Sequence, residues 1–464
     1  MRDTIQFFVN GVPHRVGGEA VMRTLSRYLR YEQRATGTKI VCEEGDCGAC
    51  TVLIGRAEKG SLRYQPINSC IQFLFQLEGT HVVTVEGLSR GGPLTPLQDS
   101  MVRCHGAQCG YCTPGFIMAM AAMYEEPRKA ALEARDVTCA LTGNLCRCTG
   151  YEPIIKAALE VENQPSMEKL YPSKPMLAAM TAGEPVLIGS FFRPVDLRAA
   201  IEFKASHPKC VIVQGATDFG VWRTKRGFEA PAILSLDGIP GLDELTASGG
   251  ELQVGGRVTL ARLEAYVRER IPALAPILDR FGSPQIKNAG TLSGNIANAS
   301  PIADTLPFLY VTEARLELTG LSGVRSVPIA AFYKGYKTLD LLPDEIITRI
   351  VIPLPADADT LRLYKVSKRS HLDISSFTAA MLMRRDGDRV AGIRIAFGGV
   401  GPLVLRLPRT ESSLSGKPFS LASLHAAGAV AKEEITPISD VRGSRDFRLQ
   451  LAENVLRKFY YDVG

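Results

Sequence analysis

Ten of the eleven cysteines in this 464-residue chain stand at positions 42, 47, 50, 70, 104, 109, 112, 139, 146 and 148, and only Cys210 lies beyond the first 150 residues. Such crowding has two ordinary causes, a disulfide framework or bonds from thiolates to metal. Disulfide frameworks belong to small chains in oxidising compartments. This chain is long, and its N-terminus, Met1-Arg2-Asp3-Thr4-Ile5-Gln6-Phe7, carries an acid and alternates polar with apolar residues, where a secretory signal runs from basic to apolar. Metal is therefore the expected account of the cysteines, with a cytoplasmic location and reduced thiols.

The chain is long enough for several domains, and 45% hydrophobic against 22% charged residues supplies their cores. The net charge of +6 comes from 54 basic against 48 acidic side chains with no long Lys/Arg run, so nucleic acid is not an expected partner. The longest apolar stretch, Phe116 to Tyr124, falls well short of the roughly 18–20 residues that cross a membrane. No membrane partner is expected.

Spacing narrows the metal. Cys42-Glu-Glu-Gly-Asp-Cys47-Gly-Ala-Cys50, followed by Cys70, is the C-x4-C-x2-C…C run of plant-type 2Fe–2S sites, whereas zinc favours two CxxC pairs or added His. Gly45 and Gly48 suit a loop that wraps a cluster, because it needs left-handed backbone and close approach. The second set offers Cys109-Gly-Tyr-Cys112 and Cys146-Arg-Cys148, but Cys104-x4-Cys109-x2-Cys112 repeats the first spacing, so spacing alone also admits Cys104. Pro114 opens a buried helix through Tyr124, Gly143 to Gly150 reads as a loop, and Pro153 opens a helix to Glu160.

Asn10-Gly11 joins two strands, 4–10 and 11–16, in a hairpin. A helix over 21–31 and strands at 51–54 and 82–85 complete a small mixed sheet. The Pro-rich, polar stretch from Asn163 to Pro175 reads as a linker. Beyond it, Cys210-Val-Ile-Val-Gln214 is a strand running into the glycine turn Gly215-Ala-Thr-Asp-Phe-Gly220, whose amides suit a phosphate. Neither a Rossmann fingerprint nor a P-loop occurs. Asn288 to Asp304, mostly small and amide side chains, makes a poor core and a good cradle for a polar cofactor.

CEEGDCGAC (42–50), QCGYCTPG (108–115), GNLCRCTGY (143–151), GATDFG (215–220) and GNIANASPIAD (294–304) together resemble the small, flavin-bearing subunit of bacterial xanthine dehydrogenases, in the molybdenum hydroxylase family, and the resemblance spans essentially the whole chain. It implies a multidomain α+β fold. The parts are a β-grasp 2Fe–2S ferredoxin domain (1–88), an all-α 2Fe–2S domain (89–163), a linker (164–184), an α/β FAD-binding domain of the PCMH/vanillyl-alcohol-oxidase-like type (185–356) and a C-terminal α+β flavoprotein domain (357–464).

The resemblance further implies two 2Fe–2S clusters, one on Cys42, Cys47, Cys50 and Cys70 and the other on Cys109, Cys112, Cys146 and Cys148. Cys104 and Cys139 are left as small buried side chains. It places FAD against Val213, Gln214, Gly215, Ala216, Thr217, Asp218, Phe219 and Gly220, and against Phe281, Thr291, Gly294, Asn295, Asn298, Asp304, Ile347 and Lys365. Gln108 would approach a partner's pterin. The implied activity is electron transfer from a molybdenum cofactor on a large molybdopterin-binding subunit, through the clusters and FAD, to NAD during purine oxidation. The chain is expected to have no acid–base catalytic residue of its own, to leave no room for a molybdopterin domain, and to work in a heterotetramer or higher assembly. Two rivals stand beside this: the same module serving an aldehyde or N-heterocycle hydroxylase, and a zinc-binding interaction protein.

Overall fold

A computed structural model describes residues 1–127, 130–180 and 183–464. Residues 181–182 of the expected linker and 128–129 of the expected helical domain lie outside the described residues. The chain divides into two compact units, one of residues 1–239 with 283–290, the other of residues 240–282 with 291–464. The division falls inside the expected FAD-binding domain.

The first unit opens with the hairpin. Thr4–Val9 pairs antiparallel with Val12–Gly17 around Asn10-Gly11, both of which hold positive φ. Thr4–Val9 alternates, with Ile5, Phe7 and Val9 turned into the core. The five-stranded sheet runs Val12–Gly17, Thr4–Val9, His81–Val83, Thr51–Glu58, Ser61–Asn68. Its last strand was not anticipated. The expected helix over 21–31 is broken into a 3-10 turn, Gly18–Met22, and the short segments Leu25–Arg27 and Tyr28–Glu32. Arg23 and Thr24 are extended between them, because Leu25 and Ser26 donate their N–H groups to Gln72 and Ser69 on either side of Cys70.

The helices Pro96–Arg103, Thr113–Glu125, Ala134–Ala140 and Glu152–Leu159 follow. Thr113–Glu125 is apolar all round, and Gly115 to Met123 are buried. The stretch expected as a linker is packed instead. It forms the helices Met167–Leu170 and Ser173–Ala179, and Met167, Tyr171 and Met176 join the core beside the second cysteine set. Tyr171 donates to Gly87 O at 2.7 Å and meets His81 edge-on. A four-stranded sheet of Val186–Ile188, Phe191–Arg193, Ile233–Leu234 and Val211–Ile212 completes this unit.

The second unit holds two larger antiparallel sheets besides the two-stranded pair Tyr333–Gly335 and Thr338–Leu339. Leu245–Ser248, Glu251–Gly255, Ile346–Pro353, Arg315–Gly320 and Gly323–Pro328 form one; Asp359–Val366, Phe377–Asp386, Arg389–Gly398 and Leu405–Arg406 form the other, with the helices Pro408–Leu414, Leu421–Glu434 and Arg445–Val463 after it. Among the described residues no helix is long and apolar enough to cross a membrane.

Candidate functional site

The loop of the first cysteine set turns through positive φ at Glu43, Gly45 and Gly48. Its thiols are strung in contact: Cys42 meets Cys47 and Cys70, and Cys70 meets Cys50. Hydrogen bonds from Cys47 and Cys70 pull the Cys42 thiol below its ordinary range, and the same contacts raise Cys70. Cys50 and Cys70 are buried beneath Ile71, Val221 and Ile286. Asn68 Nδ2 donates to Gly45 O at 2.8 Å and Ser69 Oγ to Cys50 O at 2.7 Å, which fixes the loop's course.

In the second set Cys109 and Cys148 bring their sulfurs to 3.4 Å, and Cys112 hydrogen-bonds Cys146. Burial pushes the Cys112 thiol up to about 12. Cys112 stands at the start of Thr113–Glu125 with Pro114 in its first turn, and Cys146 N–H donates to Tyr151 Oη. Cys104 is turned away: its sulfur is buried against Glu160 and Ser100 and meets no other thiol among the described residues. Cys139, expected to be buried, is exposed, because it lies on the outer face of Ala134–Ala140, whose one buried side chain is Val137. Gln108 is exposed beside Cys109.

Among the described residues no three His, Cys, Asp or Glu side chains cage a single metal ion. Sulfur contacts that run in strings and pairs, within all-thiol sets of four, fit the two linked iron atoms of a binuclear cluster better than a lone tetrahedral ion. The two loops also touch. Leu145 N–H donates to Cys47 O at 3.0 Å. A Cβ on Gly48 would stand 2.1 Å from Gly143 O, and one on Gly115 would stand 2.3 Å from Gly48 O, so close backbone packing demands glycine at both places.

In the first unit the turn 213–220 leads from Val211–Ile212 into the helix Phe219–Arg226. Gly215 is required by proximity, since its Cβ would lie 1.9 Å from Ala289 O, and Ala216 is left-handed at φ +56°. The N–H groups of Gly215, Ala216 and Thr217 meet no acceptor among the described residues, and buried Gln214 Oε1 has no partner. The three backbone N–H groups are donors an anionic phosphate would satisfy, so this loop fits a pyrophosphate. Val213, Ala216 and Phe219 bury their side chains in the core, with Phe219 edge-on to Phe73, and would offer only backbone. Gly220 packs on Ile71.

In the second unit Thr291 caps Leu292–Ala297, its Oγ1 accepting from Gly294 N–H at 3.0 Å. Asn295 Oδ1 accepts from Thr305 Oγ1, and Asn298 N–H donates to Gly294 O. Phe281 is half-buried against the core, while Ile347 is buried in Ile346–Pro353. Asp304 and Lys365, both expected at the flavin, hold each other: Lys365 Nζ lies 2.6 Å from Asp304 Oδ2 and 3.0 Å from Arg280 O, and Ser375 Oγ donates to Asp304 Oδ1. Burial pushes the Asp304 carboxyl up, opposed by the Lys365 cation and by Ser375.

Three buried residues beside the cysteine loops escaped the sequence reading. Gln285 Nε2 donates to Asn144 Oδ1 at 2.8 Å and to Thr51 Oγ1 at 3.2 Å. Asn144 Nδ2 and Thr51 Oγ1 both donate to Gly48 O, at 3.0 and 2.6 Å. Gln285 belongs to Pro284–Ala289, whose Ser283 cap and leading Pro284 were a legible helix start, but nothing local announces the partner it meets.

Three family models match the chain: a 2Fe-2S binding domain over residues 84–159, the FAD binding domain in molybdopterin dehydrogenase over 187–355, and the CO dehydrogenase flavoprotein C-terminal domain over 362–463. Xanthine dehydrogenase of Oryza sativa subsp. japonica is 28% identical across 98% of the chain, and aldehyde oxidase 1 of Bos taurus 29% across 99%. The chain spans 39% of the length of each. Among solved structures, quinoline 2-oxidoreductase from Pseudomonas putida 86 matches at TM-score 0.55 and 30% identity, over 59% of this chain and 95% of that one. Carbon monoxide dehydrogenase from Hydrogenophaga pseudoflava matches at 0.56 and 25%, over 58% and 94%. Fold and matched domains define a chain built of iron–sulfur and FAD-binding domains. The chain belongs to the molybdenum hydroxylase family.

Proposed function

We propose that this chain is the electron-transfer module of a xanthine dehydrogenase, working with a large molybdopterin-binding subunit in a heterotetramer and delivering electrons to NAD. In this reading Cys42, Cys47, Cys50 and Cys70 hold one 2Fe–2S cluster and Cys109, Cys112, Cys146 and Cys148 a second. The observation that carries it is the gathering of eight thiols into two sets of four whose loops are hydrogen-bonded through Leu145 N–H and Cys47 O. FAD is assigned to the turn Val213–Gly220 and to Phe281, Thr291, Gly294, Asn295, Asn298, Asp304, Ile347 and Lys365, with Asp304 and Lys365 held to each other as an ion pair. When bound, the clusters supply one-electron transfer and the flavin joins it to two-electron hydride chemistry.

The chain's own residues position and insulate. Ile71, Val221 and Ile286 exclude water from Cys50 and Cys70, while the amides of Gly215 to Thr217 receive phosphate charge. Cys109 and Cys148 are exposed, which leaves the second set open to approach by a partner's redox centre. Similarity at like identity to an aldehyde oxidase and to a quinoline oxidoreductase keeps a second reading open, the same module serving an aldehyde or N-heterocycle hydroxylase. Native purification tests the proposal. About four iron and one FAD per chain, with NADH-dependent dye reduction, are expected; iron-free protein holding zinc refutes it. Substrate screening of the purified complex separates purine from aldehyde or N-heterocycle oxidation.

A further inference from the structure

We infer that Gln285 is a positioning residue for electron passage between the two cysteine quartets, an inference that rests on the two-cluster reading above. Gln285 lies in the part of the sequence that matches the FAD-binding model, yet residues 283–290 leave the second unit and belong to the first. There its amide N–H2 closes a triad whose other members come from each cysteine loop: Thr51, the residue after Cys50, and Asn144, two before Cys146. All three side chains are buried, at 1%, 2% and 3% exposure.

The hydrogen-bond roles leave one arrangement. Thr51 Oγ1 gives its proton to Gly48 O, so it can only accept from Gln285. Asn144 gives its N–H to the same Gly48 O and accepts from Gln285 through Oδ1. The carbonyl between Cys47 and Cys50 is thereby held by the N–H and Oγ1 of Thr51 from its own loop and by Asn144 Nδ2 from the other, and Gln285 ties the Thr51 and Asn144 side chains together. Gln285 Oε1 has no donor, and a Cβ on Gly143 would stand 2.0 Å from it. The amide therefore works through its N–H2 end alone, and its oxygen end bears on Gly143 of the second loop.

The next residue, Ile286, closes over Cys50 and Cys70, and Ala289 O abuts Gly215 of the proposed phosphate turn. One short helix thus contacts the first cysteine loop, the second loop and the phosphate turn. Without its bonds the polar ties between the loops on this side, among the described residues, are those of Asn144 Nδ2 to Gly48 O and Thr51 Oγ1 and the Leu145–Cys47 bond. The separation of the quartets would then relax, and electron passage depends steeply on that separation.

The test is Gln285→Met, which keeps length and apolar volume and removes both hydrogen bonds. Holo-protein of the variant is expected to keep four iron per chain and two distinguishable reduced-cluster EPR signals. The broadening of each signal by the other cluster should change, and stopped-flow reduction by NADH of the cluster on Cys109, Cys112, Cys146 and Cys148, which the reading places farther from FAD, should slow severalfold. Thr51→Val, which removes the shared acceptor with little change of shape, should move the same two readouts and replaces the first variant if that one does not accumulate. A lowered melting midpoint with unchanged EPR broadening and unchanged intercluster kinetics would mean that Gln285 merely stabilises the fold, and would overturn the inference while leaving the two-cluster reading intact. Wild-type protein with fewer than two clusters would overturn that reading and this inference together.

Discussion

Replacing Lys365 with Met strips the buried Asp304 carboxylate of its cation. The pair stands at 2.6 Å with 2% and 7% of the two side chains exposed, so solvent cannot take the place of the missing charge. Breaking a buried ion pair from one side typically costs about 3–5 kcal/mol, because the remaining charge stays desolvated. In a unit of roughly 200 residues that lowers the melting midpoint by about 6–20 °C. The pH dependence has a definite sign. Burial raises the Asp304 carboxyl against the opposition of Lys365, and without Lys365 the rise is larger. A carboxyl raised in the folded state contributes stability below its unfolded pKa and loses it as pH rises through the folded value. The deficit of Lys365→Met should therefore be smallest in mild acid and largest at neutral pH. Adding Asp304→Asn should recover most of the loss, since a neutral amide can still accept from Ser375. Thermal melts of apo-protein from pH 5 to 8, read by circular dichroism, measure all of this. A deficit under about 1 kcal/mol, or no recovery in the double variant, refutes the argument. Loss of FAD affinity at an unchanged apo midpoint would instead make Lys365 a direct flavin contact.

Burial pushes His81 down to about 4, with Tyr64 Oη 2.7 Å from Nδ1 and Gly11 N–H donating to Nε2. Its folded pKa being depressed, about 3 kcal/mol of stability is present above pH 6.5 and is lost as pH falls toward 4, and His81→Gln should flatten that part of the melting-midpoint profile. Gly215→Ala places a methyl 1.9 Å from Ala289 O and should release most of the FAD, measured by flavin fluorescence after denaturation, while iron content stays. Cys112→Ser or Cys146→Ser should each abolish one of two reduced-cluster EPR signals. Cys104→Ser, whose sulfur faces Glu160, and Cys139→Ser, which is exposed, should leave both; loss of a signal in either would show that the second quartet is wrongly drawn.

Much of what depends on residues a few positions apart was legible in the sequence, although the hairpin of Thr51–Glu58 with Ser61–Asn68 was not. The turn at Asn10-Gly11 set the hairpin register and Pro114 the start of the helix after Cys112, because each is a constraint between near neighbours along one stretch of chain. Tertiary structure decided the rest. Spacing alone admitted Cys104, and only the packing of Pro96–Arg103 beside Glu152–Leu159 turns its sulfur to Glu160. A polar, Pro-rich stretch read as a loose linker until Met167, Tyr171 and Met176 found a core. Arg23 and Thr24 broke an otherwise helical run because neighbours of Cys70 claimed the next amides. Gln285 meets Asn144 across 141 positions and Thr51 across 234, and Asp304 meets Lys365 across 61. A side chain's identity says what it can donate or accept; which group stands opposite is settled only when distant backbones come within van der Waals reach, as they do at Gly48, Gly143 and Gly215.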